Sequence, residues 1–483
     1  MNYRGILVLA WLTALAFPAM AEKPGQPRVA VQSNPVSIRD GTTVRESAWT
    51  LNAAYNPDTY TVRLAKGERR EICFLSGANF CRTLGDGDVV DFVITFKGTD
   101  YPTRIVGKVV TPMANFSPAY QARYRGKTRI AAPEAYELVN VAIALTDSAR
   151  QNPNLVATET PYHAELQTYF ARWRDHPFVK SLDADMKRDQ SRYFTLKMNA
   201  YAFEFDSKGR LVRSRVYDRT GLIGESENSL MPYFAEMRDF AAKTGFRKFY
   251  AAHKSLYQSQ INYLNTEADV PGMLSWLRAN FPGVKPYDTT NIIFSPLVSG
   301  MQSATWIESN GFRELQPHVN FPYPNWADPS LSAPSQAVQR GYILFTELNH
   351  GFINPTAERY AARINKALDN RAHWAVKGSS SDSYGNAESL FNEMMNWGLI
   401  GPYIIDHVQP AEQSKMLARL DRYMGARGRG FPQSPAFNAF LVELYRNRPP
   451  GTTVEALYPQ IVEWFEKHDD SKPYVPEPVA KKS

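Results

Sequence analysis

The chain has 483 residues, of which 43% are hydrophobic, and its formal net charge is +7. This length predicts about two to three domains, or one large domain with an appendage, and the hydrophobic content is sufficient for a packed core. Because basic and acidic residues are interspersed, the charge gives no support for nucleic-acid binding. The composition therefore indicates a folded, globular protein rather than a disordered chain.

The first 21 residues have the pattern of a secretory signal peptide. A polar start containing Arg4 precedes the apolar run 5–17, Pro18 breaks that run, and residues 19–21 form an A-x-A cleavage site. We expect cleavage near Ala21 and a mature protein that is periplasmic or secreted; an uncleaved N-terminal anchor is the alternative. No later segment is apolar over the length that a transmembrane helix requires.

Residues 22–130 are predicted to form a β-rich domain, a small sandwich or barrel. The segments "YTVRLA" and "DVVDFVITFKG" alternate in polarity or are rich in β-branched residues, and a Gly-Asp-Gly turn signal precedes the second. This region holds both cysteines of the chain, Cys73 and Cys81. In an exported protein they predict a local disulfide, with free thiols as the alternative.

Residues 131–468 are predicted to form a mostly helical domain with one short sheet. The exceptions to helical spacing are a predicted hairpin across 193–218 and an apolar strand within 291–301. The stretch 317–334, rich in proline and aromatic residues, predicts a loop. Residues 469–483 predict a flexible tail. The predicted fold class is therefore α+β, with the β-rich domain first and the helical domain second.

The stretch "LFTELNHGFINP", residues 344–355, carries Glu347 and His350 three positions apart on a predicted helix. We expect the helix to end before Pro355, because the residue preceding a proline disfavours helical geometry. In H-E-x-x-H zinc hydrolases two histidines on one helical face bind the metal and the glutamate acts as base. Here Thr346 occupies the first histidine position. The spacing alone favours a solvated glutamate and a structural histidine over a metal site.

Four stretches together are more specific than the E-x-x-H spacing alone. They are "YELVNVAIALTD" with "YFARWRDHPFV", "IIFSPLVSGM", "ELNHGFINP" and "NEMMNWGLI". Over about residues 131–430 the chain thereby resembles an uncharacterised bacterial family of exported, gluzincin-like metallohydrolase domains. Members of that family typically read H-E-x-x-H-x-F-x-N-P, and this chain keeps every fixed position except the first histidine. The resemblance implies a metallopeptidase-type fold with Glu347 as general base and His350 and Glu393 as zinc ligands.

The chain departs from the family at Thr346, whose hydroxyl is a poor zinc ligand. Two protein ligands then remain, whereas catalytic zinc usually has three. We expect zinc binding to be weakened by several kcal/mol, on the scale of structural zinc affinities. His318 and His373 are the nearest histidines that could complete the site, and His318 lies in the predicted loop 317–334.

Three functions are compatible with this sequence. The first is a degenerate metallopeptidase-like protein that binds a peptide, a protein or another envelope component. The second is an active zinc hydrolase with an altered ligand set, and the third is an envelope scaffold that acts through the β-rich domain. One further segment, "GARGRGF" at 425–431, could cradle an anion, although a plain loop between helices is the alternative.

Overall fold

A computed structural model gives the structure of the protein. The residues it describes are 26–49, 51, 57–65, 67–75, 80–110, 112–220, 227–323 and 327–468. The predicted signal peptide and the predicted tail lie outside them. The chain divides into two compact units, Met1–Val109 and Val110–Ser483. Strands predominate in the first unit and helices in the second, so the predicted α+β class is confirmed.

The first unit is rich in β-strands. Its described strands are β1 Arg28–Ala30, β2 Val36–Asp40, β3 Thr43–Trp49, β4 Asp58–Leu64, β5 Arg70–Leu75, β6 Phe80–Leu84, β7 Val89–Phe96 and β8 Thr99–Val109. They form two four-stranded sheets, in the orders β1-β7-β8-β4 and β3-β2-β5-β6. Apolar side chains of both sheets, such as Phe74 of β5 and Phe92 of β7, share one core. The period of two in each strand places these side chains on its inner face.

The predicted disulfide between Cys73 and Cys81 is present. The two residues lie directly opposite each other in the antiparallel pair β5 and β6. The bond therefore joins neighbouring strands of a hairpin.

The second unit is built around a four-stranded sheet in the order β13-β14-β12-β9. The strands of this unit are β9 Thr128–Ala131, β10 Phe203–Phe205, β11 Leu211–Arg213, β12 Thr289–Ser295, β13 Ser303–Ser309 and β14 Phe312–Asn320. β12 pairs in parallel with β14 and with β9, and it is buried along its whole length. β13 is an antiparallel edge strand. β9 pairs with β12, so residues 128–131 belong to this unit. The two units divide between residues 109 and 110, whereas the sequence predicts a boundary between residues 130 and 131.

Helices surround this sheet and share one extensive apolar core. They are α1 Pro118–Tyr124, α2 Glu134–Ala144, α3 Asp147–Gln151, α4 Pro161–Tyr169, α5 Pro177–Arg188, α6 Arg192–Asn199, α7 Phe234–Lys243, α8 Phe246–Ala252, α9 Lys254–Thr266, α10 Val270–Asn280, α11 Ala333–Arg340, α12 Tyr342–Glu358, α13 Ala361–Ala367, α14 Arg371–Trp374, α15 Ala387–Gly398, α16 Ile400–His407, α17 Pro410–Met424, α18 Ser434–Arg446 and α19 Tyr458–Lys467. Among the described residues, none of these helices has the length and apolar character needed to cross a bilayer.

Helix α12 continues through Pro355, so the prediction that it ends before this proline is wrong. A proline inside a helix lacks the N–H that would bond the carbonyl four residues earlier. That carbonyl belongs to Gly351, and it accepts a hydrogen bond from the Tyr287 hydroxyl at 2.8 Å. A side-chain donor thus satisfies the carbonyl that the proline leaves without its backbone partner.

The first half of the predicted hairpin across 193–218 is also wrong, because α6 occupies it. Tyr193 and Leu196 are buried at helical spacing. A short run of apolar and polar residues fits either a helix or a strand, and here packing on the core selects the helix. The hairpin itself is present as β10 and β11. The predicted strand within 291–301 is confirmed as β12.

Replacing Tyr287 by Phe should lower the free energy of unfolding by about 1–2 kcal/mol, because a buried carbonyl loses its donor. The measurement is urea denaturation of the wild type and the Tyr287→Phe variant. The same change in a Pro355→Ala background should cost clearly less, since the alanine supplies the missing backbone N–H. Equal costs in both backgrounds would contradict this role for the tyrosine.

Candidate functional site

Helices α12 and α15 pack side by side, and α12 also lies against β13 and β14. This packing brings the predicted ligands His350 and Glu393 together, with Nε2 and Oε2 separated by 3.9 Å. Ligands that bind zinc at ~2.0–2.2 Å in tetrahedral geometry lie roughly 3–4 Å apart. The two side chains are therefore close enough to share an ion, and whether they can do so depends on their other partners.

Both carboxylate oxygens of Glu393 accept hydrogen bonds from protein donors. Trp397 Nε1 donates to Oε1 at 2.9 Å, and Arg429 Nη1 donates to the same oxygen at 2.5 Å. Asn396 Nδ2 donates to Oε2 at 3.4 Å. Arg429 is itself held by a hydrogen bond from Nη2 to the Tyr384 hydroxyl at 2.7 Å. The Glu393 side chain is only 7% exposed, so water competes little for these contacts.

The pKa of Glu393 is lowered although the group is buried. Burial by itself raises the pKa, but the charge of Arg429, the neighbouring His350 and hydrogen bonds from Arg429 and Tyr384 together lower it by more. Glu393 is therefore an anion whose charge is balanced by a guanidinium group. A carboxylate neutralised in this way has a reduced attraction for a metal cation.

The imidazole of His350 has a partner at each nitrogen. Asn396 Nδ2 lies 2.9 Å from Nε2, and Asn354 Oδ1 lies 3.2 Å from Nδ1. With the asparagine amide as donor, Nε2 accepts and the ring proton is on Nδ1. The same Asn396 nitrogen donates to Glu393. It thus lies between the two predicted ligands, where a shared metal ion would bind.

None of the residues considered for the missing ligand joins this pair. The Thr346 hydroxyl donates to the carbonyl of Ile343 within its own helix at 2.7 Å. His318 lies in β14, so the prediction that it belongs to a loop is wrong; its Nε2 is 3.1 Å from Oε1 of Gln316. His373 is buried in α14 and packs edge-on against Trp374, with ring centroids 4.9 Å apart.

The residues present do not fit a catalytic zinc ion. Within the described ranges, the one group of three side chains with metal-ligand spacing is Glu71, Cys73 and Cys81. Its two cysteines form the disulfide, which removes their thiolates as ligands. The centre on α12 and α15 offers two ligands, both engaged by protein donors, where typical catalytic zinc needs three. We therefore route no chemical step through a metal.

The predicted base, Glu347, lies in a buried environment with a second titratable group. Burial raises the pKa of Glu347 to about 7, with His350 and Lys197 opposing the rise and Glu393 adding to it. Burial likewise lowers the pKa of Lys197 to about 7, and the charge of Glu347 opposes that fall. Lys197 Nζ donates to the carbonyl of Met301 at 2.7 Å. Both groups therefore titrate near neutral pH.

Sequence reasoning missed two residues of this centre. Lys197 lies in a segment that the sequence predicts to be a strand, and a lysine in such a strand is expected to face solvent. One sequence feature points to Arg429: it lies in the segment 425–431, which the sequence indicates could bind an anion. The anion it holds is the Glu393 carboxylate of the same chain.

No protein-family model matches the sequence, and no curated protein and no solved structure matches it either. The gluzincin-like resemblance thus stays a prediction that rests on the motifs quoted above. The positions of Glu347, His350 and Glu393 and their contacts are therefore the main evidence on function.

The free energy of unfolding should fall between about pH 5 and pH 8 through Glu347. Its folded-state pKa of about 7 lies above the ordinary value of 4.5, so its contribution is full at low pH and is lost as pH rises through about 7. The amide of Glu347→Gln does not titrate. Relative to this variant, we expect the wild type to lose on the order of 2–3 kcal/mol across that range.

Urea denaturation at several pH values measures this difference. The matched control is Glu443→Gln, which changes an exposed carboxylate on α18 and should leave the wild-type pH dependence intact. Parallel pH profiles for wild type and Glu347→Gln would show that Glu347 is an ordinary carboxyl group.

Proposed function

We propose that this protein is an exported, metallopeptidase-like protein that acts by binding a peptide or another envelope component, without a catalytic zinc ion. Export is supported by the pattern of residues 1–21 and by the Cys73–Cys81 disulfide, which is typical of oxidising compartments. The metallopeptidase-like character rests on the order of strand, E-x-x-H helix and glutamate helix, and on the approach of His350 to Glu393.

One observation carries the proposal that no catalytic zinc ion is bound: both carboxylate oxygens of Glu393 accept hydrogen bonds from protein donors. For zinc to bind, Asn396 would have to leave the space between the ligands and Arg429 would lose a buried partner. Breaking a buried ion pair typically costs about 3–5 kcal/mol, because the remaining charge is uncompensated. That cost opposes metal binding in addition to the missing ligand at Thr346.

An active hydrolase is the second candidate, and one observation favours it. Glu347 has a pKa of about 7, which suits a general base at neutral pH. Such an enzyme would need its Arg429 and Asn396 contacts to rearrange when a metal or substrate binds.

Metal analysis of the purified protein separates these candidates. After dialysis against zinc and removal of excess ion, we expect substoichiometric zinc in the wild type and the same amount in His350→Ala and Glu393→Gln. The double variant Thr346→His with Arg429→Gln should gain zinc, because it restores the third ligand and frees Glu393. His468→Ala, which removes an exposed histidine outside the centre, is the control for adventitious binding.

One zinc ion per chain in the wild type, lost in both His350→Ala and Glu393→Gln, would overturn the proposal. Peptide hydrolysis that disappears in Glu347→Gln would then establish the hydrolase. Circular dichroism of each variant shows whether a loss reflects the site or the fold.

A further inference from the structure

A cavity of about 310 Å³ lies between the β10–β11 hairpin, the C-terminal half of α7 and the start of α8. Four cationic side chains line it, and all four residues are exposed: Arg210, Arg238, Arg247 and Lys248. No acidic residue lines it within the described part of the chain. A ligand that enters this cavity from solvent therefore meets a positively charged wall.

Two of these four cations are paired with carboxylates of the protein, and two are not. Arg210 pairs with Asp206 and Arg247 pairs with Glu134, each at 2.8 Å. The other two cations form no ion pair with a described residue. Glu204, the other acidic residue of the hairpin, lines a different cavity. Four cations against two carboxylates leave the wall with an excess of two positive charges.

Three contacts fix the guanidinium group of Arg247. Its Nε donates to Glu134 at 2.8 Å, and its guanidinium carbon lies over the ring of Phe205, 5.1 Å from the centroid. Gly209 has a φ of +74°, and a Cβ at this position would collide with Nη1 of Arg247. Neither Nη nitrogen donates to a described residue, and the side chain is 49% exposed. An arginine held in this way presents planar donors that suit the oxygens of an anionic group.

The rest of the lining has no polar side chain. It consists of Phe205, Gly209, Leu211, Ala241, Ala242 and Gly245. Apolar surface of this kind favours contact with the organic part of a ligand. The cavity volume lies at the lower end of the range of small-molecule sites, roughly 300–1,000 Å³, so an inorganic ion would fill only a fraction of it. The lining therefore indicates a small organic anion.

The excess charge indicates which anionic group fits. A phosphate monoester carries about 1.5 to 2 negative charges at neutral pH, which matches the excess of two positive charges on the wall. A carboxylate or a sulfate ester carries a single charge and leaves one cation without compensation.

We propose that this cavity binds a phosphate monoester with a small apolar organic part, carried by a soluble molecule or by the headgroup of a phospholipid. The phosphate would accept hydrogen bonds from Arg247, with Arg238 and Lys248 compensating its charge. The organic part would contact Phe205 and Leu211. The inference goes beyond the proposed function and uses none of the residues of the centre on α12 and α15.

Isothermal titration calorimetry on the full mature chain tests the proposal with phenyl phosphate, phenyl sulfate and inorganic phosphate. Phenyl phosphate should bind about tenfold more tightly than phenyl sulfate, because only the dianion matches both unpaired cations. It should also bind more tightly than inorganic phosphate, because its ring buries apolar surface. Equal affinities for phenyl phosphate and phenyl sulfate, or no binding of phenyl phosphate at millimolar concentration, would overturn the proposal whatever the variants do.

Substitutions of the cations test the assigned roles. Arg247→Gln should weaken phenyl phosphate by about tenfold. The double variant Arg238→Gln with Lys248→Gln should bind phenyl phosphate and phenyl sulfate alike, because it removes the excess charge. Arg278→Gln, which changes an exposed arginine on α10, is the matched control and should bind as the wild type does. Wild-type affinities in folded Arg247→Gln and in the folded double variant would contradict the site.

Sedimentation with phosphatidylcholine vesicles identifies the source of the ester. Selective binding to vesicles that contain phosphatidic acid, compared with vesicles that contain phosphatidylglycerol, identifies a phospholipid headgroup, because only phosphatidic acid is a phosphate monoester. Without that selectivity, the binding of phenyl phosphate identifies a soluble ester. The zinc content of the same samples is read separately, so this inference and the proposed function can fail independently.

Discussion

The buried ion pair between Arg429 and Glu393 is the contact on which the centre of the second unit depends. Isolated charges are costly inside a protein, and a buried carboxylate persists only when a cation and hydrogen bonds compensate it. Arg429 provides that cation and also contacts Tyr384, so the segment after α17 and the turn before α15 are fixed to the same helix. Glu347 and Lys197 are close enough to interact with this pair, so the centre groups two acidic side chains with two basic ones. Their balance explains how so many ionisable groups can be tolerated in one core.

Glu347 and His350 lie on one continuous helix, α12, because a side chain from outside the helix replaces the backbone hydrogen bond that is missing at Pro355. Pro355 removes one backbone hydrogen bond, and Tyr287 fills the place of the missing donor at Gly351. The helix therefore stays continuous beyond His350 and packs along both the sheet and α15. The short distance from His350 to Glu393 follows from that packing.

The α+β class, the disulfide and the helices that carry Glu347, His350 and Glu393 could be predicted, because each leaves a local pattern in the sequence. Three features could not. The apolar residues of α6 fit the period of a strand as well as that of a helix, so the sequence predicts a strand there and gives no sign that Lys197 is buried. The prolines around His318 predict a loop, whereas pairing with β12 and β13 places this residue in β14. Arg429 finds its partner 36 positions away along the chain, and such a contact depends on tertiary packing.

The Arg429–Glu393 pair also constrains how this sequence can change over generations. A lone Thr346→His leaves Glu393 bound to its guanidinium, and a lone loss of Arg429 leaves a buried carboxylate without compensation. The second step costs about 3–5 kcal/mol, a large share of the roughly 5–15 kcal/mol that keeps a typical domain folded. Each single step towards a metal-binding centre is thus neutral or harmful by itself. A metal-binding centre at this position would therefore require at least two substitutions made together.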